Sequence, residues 1–572
     1  MAYLDAINAH GTLVKSIGLG NSHLVWAVGL YIEEADLEAL ASQSLTDGPN
    51  DKKIDFINLD VDSKRIIIAQ GFYATVRKDS APANKASDLN TAAAWFVSGT
   101  LDNVPEQLKP AIEECRDAID KGEVEAIELL YVHNLPESVN VNKELQTAAA
   151  HLRKSLSPDS GIAVTSRELG EASIEHLFLS QDSHIDVKDE ILCPAEIELS
   201  EKGPTWEASV LSVPGSWLHE LYDKHGDRLF SANYRGFLGI SRRKRINTGI
   251  RQSAEAKPQD FWVFNNGITL LTQGLRKDGN RTVLTGISII NGAQTTGSIG
   301  SVDIAKNKLK GVKVLCRVIQ CTDPDTISEI VKYNNTQNAI TSWDQYSNEP
   351  EQVRIEQEFK AIGHTYSKKR GFSLKGDQLG VEEVMQPLLA FHGRWQDANR
   401  GKNGIFERKP LYANAFEGKK ARHILFVYSL ARAVDERRLE LKRKSSDATI
   451  IALEEEHLKL LRVFRFKHFF VGVVARVLET VLGAKVDVDT VAFSPAEADA
   501  KRNTLLALIA AWAPVVETVL SYVHTTVTAA DLPSKLYDDE FMDEVVGKVG
   551  ALLYSTRSLD PFAEFKKLVS PS

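Results

Sequence analysis

A chain of 572 residues is too long for one hydrophobic core, and its length fits about three or four domains of ordinary size. Its 43% hydrophobic and 25% charged residues exclude wholesale disorder, and a net charge of −9 excludes a uniformly basic nucleic-acid-coating protein. The opening "MAYLDAINAHGTLVKSIG" has no charged n-region followed by an apolar stretch, so no secretory signal is expected.

Residues 1–195 alternate helical and strand patterns. "SHLVWAVGLYIEEADLEALASQS" is helical, "KIDFINLDV" and "KRIIIAQGFYATV" form a strand pair, and "PEQLKPAIEECRDAID" is an amphipathic helix. Strand "VEAIELLYVH", helix "NKELQTAAAHLRKSL", strand "GIAVTS" and helix "GEASIEHLFLSQ" follow. Short β-branched strands between amphipathic helices predict an α/β layer domain.

Residues 196–373 carry strands "AEIELSE" and "WEASVLSV", helix "PGSWLHELYDKHG", strands "FWVFNNGITLLTQGL", "RTVLTGISII" and "GVKVLCRVIQC", and helix "TDPDTISEIVKYNNTQ". This predicts a second, mixed α/β domain. From 374 to 572 the strand signal fades and long periodic segments predict a mostly helical region. The apolar runs "HFFVGVVA" and "TLLALIAAWAPVV" fall short of the roughly 18 to 20 residues of a spanning helix, so buried helices, no membrane contact and a cytoplasmic location are expected. The four cysteines Cys115, Cys193, Cys316 and Cys321 have no metal-ligand spacing and are expected as free buried thiols.

Three polar clusters interrupt the central domain. They are "FNNGIT" with Asn265, Asn266 and Gly267, "NGAQTT" with Asn291, Gly292, Gln294 and Thr295, and "YNNTQNAITSWD" with Asn334, Asn335 and Gln337. Carboxamides offer donors and acceptors without charge, which suits a base edge or a sugar. A glycine turn into a Thr-rich helix start also exposes amides to an anion. Each cluster taken alone is an ordinary turn or cap; three in one domain point to a shared ligand site. Between helix and strand, "RLFSANYRGFLGISRRKRINTGIR" includes Arg235, Arg242 and Arg243 and has no acidic residue, a local positive island suited to phosphates. The run "RRLELKRK", Arg437 to Lys444, is expected to be the solvated end of a helix, and "WQDANRGKNGIFERK" a connecting loop.

The ordered motifs "RLFSANYRGFLG", "FWVFNNGITLL", "IINGAQTTGSI", "RVIQCTDPDTISEIVKYNNTQNAITSWD" and "FKAIGHTYSKKRG" resemble the AIPR family of bacterial abortive-infection phage-resistance proteins over roughly residues 210–400. That resemblance implies phage defence. More distantly, "NGAQT" is similar to the loop of ParB/sulfiredoxin-like nucleotide-binding domains, which implies ATP or another nucleotide as ligand and NTPase activity. Here Asn291 stands at the acid and Thr295 at the basic position of that loop. No GxxxxGK[ST] loop occurs, so the P-loop class is excluded at the level of motif.

The N-terminal strand pair resembles the Mrr-type branch of the restriction-endonuclease-like fold. The resemblance implies Asp55 and Gln70 as Mg²⁺ ligands, Glu33 or Glu34 as a further ligand, and nuclease action on DNA or RNA. Phe72 occupies the position of the lysine that orients the attacking water. Two readings stay open: an effector that cleaves nucleic acid, and a sensor or scaffold that binds a nucleotide, nucleic acid or phage component and acts through a partner. A homo-oligomer is a further expectation, since helical C-terminal regions often dimerise.

Overall fold

In the computed structural model the chain is a mixed α/β protein with several sheets and a helical C-terminal region. The structure describes all residues except 47, 49, 158–159, 180–184, 186, 234–243, 280, 304–308, 336–348, 369–377, 407 and 572. The chain falls into two compact units, one of residues 1–3 and 173–340, the other of residues 4–172 and 341–572.

The larger unit begins around a four-stranded sheet of β1 (Phe56–Asp60), β2 (Arg65–Phe72), β3 (Ala126–His133) and β4 (Ala163–Leu169), in that spatial order. β1 and β2 form an antiparallel hairpin, whereas β2, β3 and β4 run parallel. The parallel connections require crossovers, supplied by helices including Ala83–Ser98 and Val139–Ser155. β3, "AIELLYVH", is buried along its whole length, as a strand covered on both faces must be. The stretch read as one helix after Ser22 is two, Gly11–Ile32 and Leu37–Ser44. Glu33 takes a left-handed φ of 65°, and the Asp36 carboxylate then caps the second helix by accepting from Ala39 N at 2.9 Å.

The helical part of this unit packs Ala421–Ser446, Phe466–Leu482, Ala513–His524 and Asp539–Thr556 around one apolar core. Its centre is aromatic, with ring centroids 4.6 Å apart for Phe426 and Trp512 and 4.5 Å for Trp512 and Phe565. The apolar run near residue 510 is longer than the sequence reading allowed: Leu505–His524 reaches 20 residues at a mean hydropathy of 1.7, enough by length and composition to cross a bilayer. It is divided at Trp512 into two helices, and Val515, Val516, Val519 and Val523 are buried in the core. "WQDANRGKNGIFERK" is likewise no plain loop, since it forms the helices Trp395–Ala398 and Lys402–Phe406, with Trp395 buried.

Buried histidines make this unit acid-sensitive. His392 and His423 bring their Nε2 atoms within 3.0 Å, and His423 Nδ1 lies 2.6 Å from the Val491 carbonyl. A carbonyl only accepts, so His423 carries its hydrogen on Nδ1 and the hydrogen between the rings belongs to His392. Burial pushes His392 down to about 3 and His423 to about 4, and it lowers His23 and His468 to about 3. Below about pH 6.5 the unfolded chain binds protons that the folded chain refuses, so stability falls by up to about 1.4 kcal/mol per pH unit for each such group. The thermal midpoint is therefore expected to drop between pH 7 and pH 5.5, above the carboxylate range; an unchanged midpoint would contradict this.

The smaller unit is a six-stranded mixed sheet in the order β5-β9-β8-β10-β7-β6. The strands are β5 (Val187–Cys193), β6 (Ile197–Lys202), β7 (Trp206–Pro214), β8 (Ile268–Asp278), β9 (Arg281–Asn291) and β10 (Lys313–Cys321). β8 and β10 are parallel, and the neighbouring pairs β8/β9 and β10/β7 are antiparallel. The segment "FWVFNNGITLLTQGL" is not a single strand: Phe261–Phe264 curls into a short helix, and extended backbone begins at Ile268. All four cysteines are buried free thiols.

Candidate functional site

Gly267 and Gly292 bring the first two polar clusters together. Both take left-handed backbone, with φ of 79° and 89°. A Cβ on Gly292 would meet the Gly267 carbonyl oxygen at 2.6 Å, and one on Gly267 would meet the Leu315 carbonyl oxygen at 2.3 Å. Only glycine satisfies both the dihedral and the approach. Gly292→Ala is therefore expected to lower stability by about 1–3 kcal/mol, read as a shift in the urea midpoint; a shift below about 0.5 kcal/mol would show that the two turns separate freely.

Hydrogen bonds then join all three clusters. Asn265 Oδ1 accepts from Gly267 N at 2.8 Å and from Thr295 Oγ1 at 3.1 Å. Asn291 Nδ2 donates to the Asn334 carbonyl at 3.3 Å, and Asn334 Nδ2 donates to the Ile330 carbonyl at 2.8 Å. The Asn265 and Asn291 carboxamides thus tie the clusters to one another, while that of Asn334 bonds within its own helix and accepts from Arg317. Thr295 is buried, and its hydroxyl belongs to the same scaffold. Asn266, which is exposed, and Gln294, half-buried, have no side-chain hydrogen bond within the described residues. Gln294 stands in the first turn of the helix Ala293–Gly300, which Gly292 opens.

Sheet register adds a residue the sequence did not single out. Thr269 of β8 pairs with Asn291 of β9 and with Arg317 of β10, so the three form one row across the sheet. The exposed Arg317 guanidinium donates to Thr269 Oγ1 at 3.4 Å and to Asn334 Oδ1. No carboxylate pairs with it among the described residues. Large aromatic residues are exposed on neighbouring elements, Tyr333 at 65% on the helix Pro324–Asn335, and Phe264 at 57% and Trp262 at 37% on the helix Phe261–Phe264, with Lys257 Nζ 5.8 Å from the Phe264 ring centroid. Of the other expected site residues, Arg235, Arg242, Arg243 and Gln337 and the side chain of Asn335 lie outside the described residues.

At the N-terminal strand pair, Asp55 and Gln70 do meet. Gln70 Nε2 and Gly71 N donate to Asp55 Oδ2 at 2.5 and 2.7 Å. Gln70 is 3% exposed, and its Oε1 has no hydrogen-bond partner. The Glu34 carboxylate instead takes Lys402 Nζ at 2.6 and 2.8 Å, lining a cavity with Asn58 and Asp60 that neither Asp55 nor Gln70 lines. Magnesium prefers near-octahedral oxygen donors. Of the donors expected for the ion, Asp55 Oδ2 and the Glu34 carboxylate are thus committed to N–H groups of the protein, and no group of three His, Cys, Asp or Glu suited to a metal occurs among the described residues. Asp55→Ala would strand two buried N–H groups and is expected to cost about 2–3 kcal/mol of stability while leaving nucleic-acid binding intact; a variant as stable as the parent in urea would refute the clamp.

Comparison with known proteins bears on the central segment. Residues 230–426 match the family described as AIPR protein. That matched segment takes in β8, β9, β10 and all three clusters, in agreement with the resemblance read from the motifs. No curated protein and no solved structure matches the chain. Nothing in these comparisons supports the restriction-endonuclease resemblance of the N-terminal part.

Proposed function

We propose that the chain serves abortive-infection defence as a binding protein for single-stranded nucleic acid, with the joined turns of the AIPR segment as its site. The observation that carries this reading is the exposure of Tyr333, Phe264 and Trp262 together with an Arg317 that has no carboxylate partner, and Asn266 and Gln294 amides that have no hydrogen bond, among the described residues. Bases stack on aromatic faces, guanidinium meets phosphate, and carboxamides read base edges; this combination suits unstacked strands better than duplex. Because Asp55 Oδ2 is committed to two N–H donors, the role proposed is that of a sensor acting through a partner.

Fluorescence anisotropy with labelled single-stranded DNA, single-stranded RNA and duplex tests it. Single strands are expected to bind, and Asn266→Ala and Gln294→Ala to weaken binding without moving the thermal midpoint. Failure of every nucleic acid to bind would overturn the reading, and a large fall in midpoint would assign these residues to the scaffold.

A further inference from the structure

The basic run Arg437 to Lys444 is not simply a solvated helix end. Arg438 and Lys442, four residues apart on the helix Ala421–Ser446, share a face. Arg438 is buried; among the described residues its Nε has no hydrogen-bond partner and its Nη2 reaches only the Arg462 carbonyl, at 3.4 Å. Lys442 Nζ donates to the carbonyls of Ser42 and Leu45 at 2.6 and 2.7 Å, leaving one ammonium hydrogen uncommitted. Arg462 is half-buried beside them. None of the three forms an ion pair among the described residues. Burial and mutual repulsion hold Lys442 well below the usual lysine range, and burial lowers Arg438 and Arg462 to about 10.

Lys442 and Arg462 border a cavity of about 530 Å³ within the larger unit, inside the size range of small-molecule sites, with Arg438 set behind them on the helix face of Lys442. Lys442, Arg462, Arg443 and Lys15 line it, with Asn21 and Ser445 among the neutral donors, and Asp447 alone is acidic among the described lining residues. Gly18 also lines it at a break in the helix Gly11–Ile32, where its φ is 78°. The helix restarts there, and the first amides of a helical segment have no partner inside it. Carboxylates act on these groups only through space, Asp435 on Arg438 and Lys442 and Glu106 and Glu455 on Arg462, so an anion in the cavity would offset the cost of their burial.

We propose that this cavity binds a phosphate-bearing small molecule of nucleotide size, its phosphates on Lys442, Arg462 and Arg443. The site lies outside the AIPR segment and is independent of the nucleic-acid site proposed above. ADP titrated calorimetrically into the full chain is the probe. Saturable binding is expected, with inorganic phosphate competing and a single-stranded oligonucleotide not competing. Arg462→Gln, and separately Lys15→Gln with Arg443→Gln, should weaken ADP by about tenfold or more, whereas Gln294→Ala should leave it unchanged. The Lys15/Arg443 pair is more exposed than Lys442, which anchors two carbonyls, so its test stands if Lys442 variants fail to fold. The proposal is overturned if ADP does not bind, if it binds equally to both variants, or if only Gln294→Ala removes it.

Discussion

Arg317→Ala is expected to weaken single-strand binding by about ten- to a hundredfold, the loss of one guanidinium–phosphate contact and of the row it organises. Its side chain is exposed and, among the described residues, bonds only Thr269 and Asn334, so the thermal midpoint should barely move. Tyr333→Ala should weaken binding to a similar degree, and Tyr333→Phe should retain it, because a stacked ring needs its face and not its hydroxyl. Anisotropy at one fixed salt concentration measures all three, since phosphate contacts make affinity salt-dependent. Equal affinity of Arg317→Ala and the parent would remove the guanidinium from the site.

The largest effect on stability is expected at Arg432. This residue of the Ala421–Ser446 helix is 5% exposed and bonds Asp36 Oδ1 at 3.1 Å, with Glu38 Oε2 at 3.7 Å and Glu436 Oε1 at 3.5 Å. Asp36 also caps the helix Leu37–Ser44, so one cation ties the start of that helix to the helical core. Arg432→Ala leaves the buried Asp36 and Glu38 carboxylates without their guanidinium, a loss of about 3–5 kcal/mol. Asp36→Asn with Arg432→Met removes both charges and should be milder. A urea midpoint for Arg432→Ala within about 1 kcal/mol of the parent would mean that solvent reaches the cluster.

The sheet of the larger unit was legible because "RIIIAQGF" and "AIELLYVH" are β-branched or apolar runs of strand length, and their burial follows. The entry to β8 was not legible as written. Apolar character argued for one strand from Phe261, but Asn265 accepts from Gly267 N, and the left-handed Gly267 breaks the extended run. The carboxamide clusters stood out because nothing in a core calls for them. Their division into scaffold and free groups did not, since it depends on which side chain faces which across turns far apart in sequence. Arg317 sat unnoticed in "VKVLCRVIQC", one charge in an alternating strand, and only the pairing of β8 with β10 places it beside Thr269. Composition alone also hid Arg438, because a charge run reads as solvated until the helix face it lies on is known.

The larger unit is assembled from residues 4–172 and 341–572, with the other unit lying between them in sequence. On the ribosome the first piece emerges on the order of ten seconds or more before the second begins to appear. During translation Asp36 and Glu38 therefore wait without Arg432, and the four-stranded sheet waits without its helical half. A polypeptide released early would expose that half-built surface to chaperones and proteases, so quality control falls on the incomplete product.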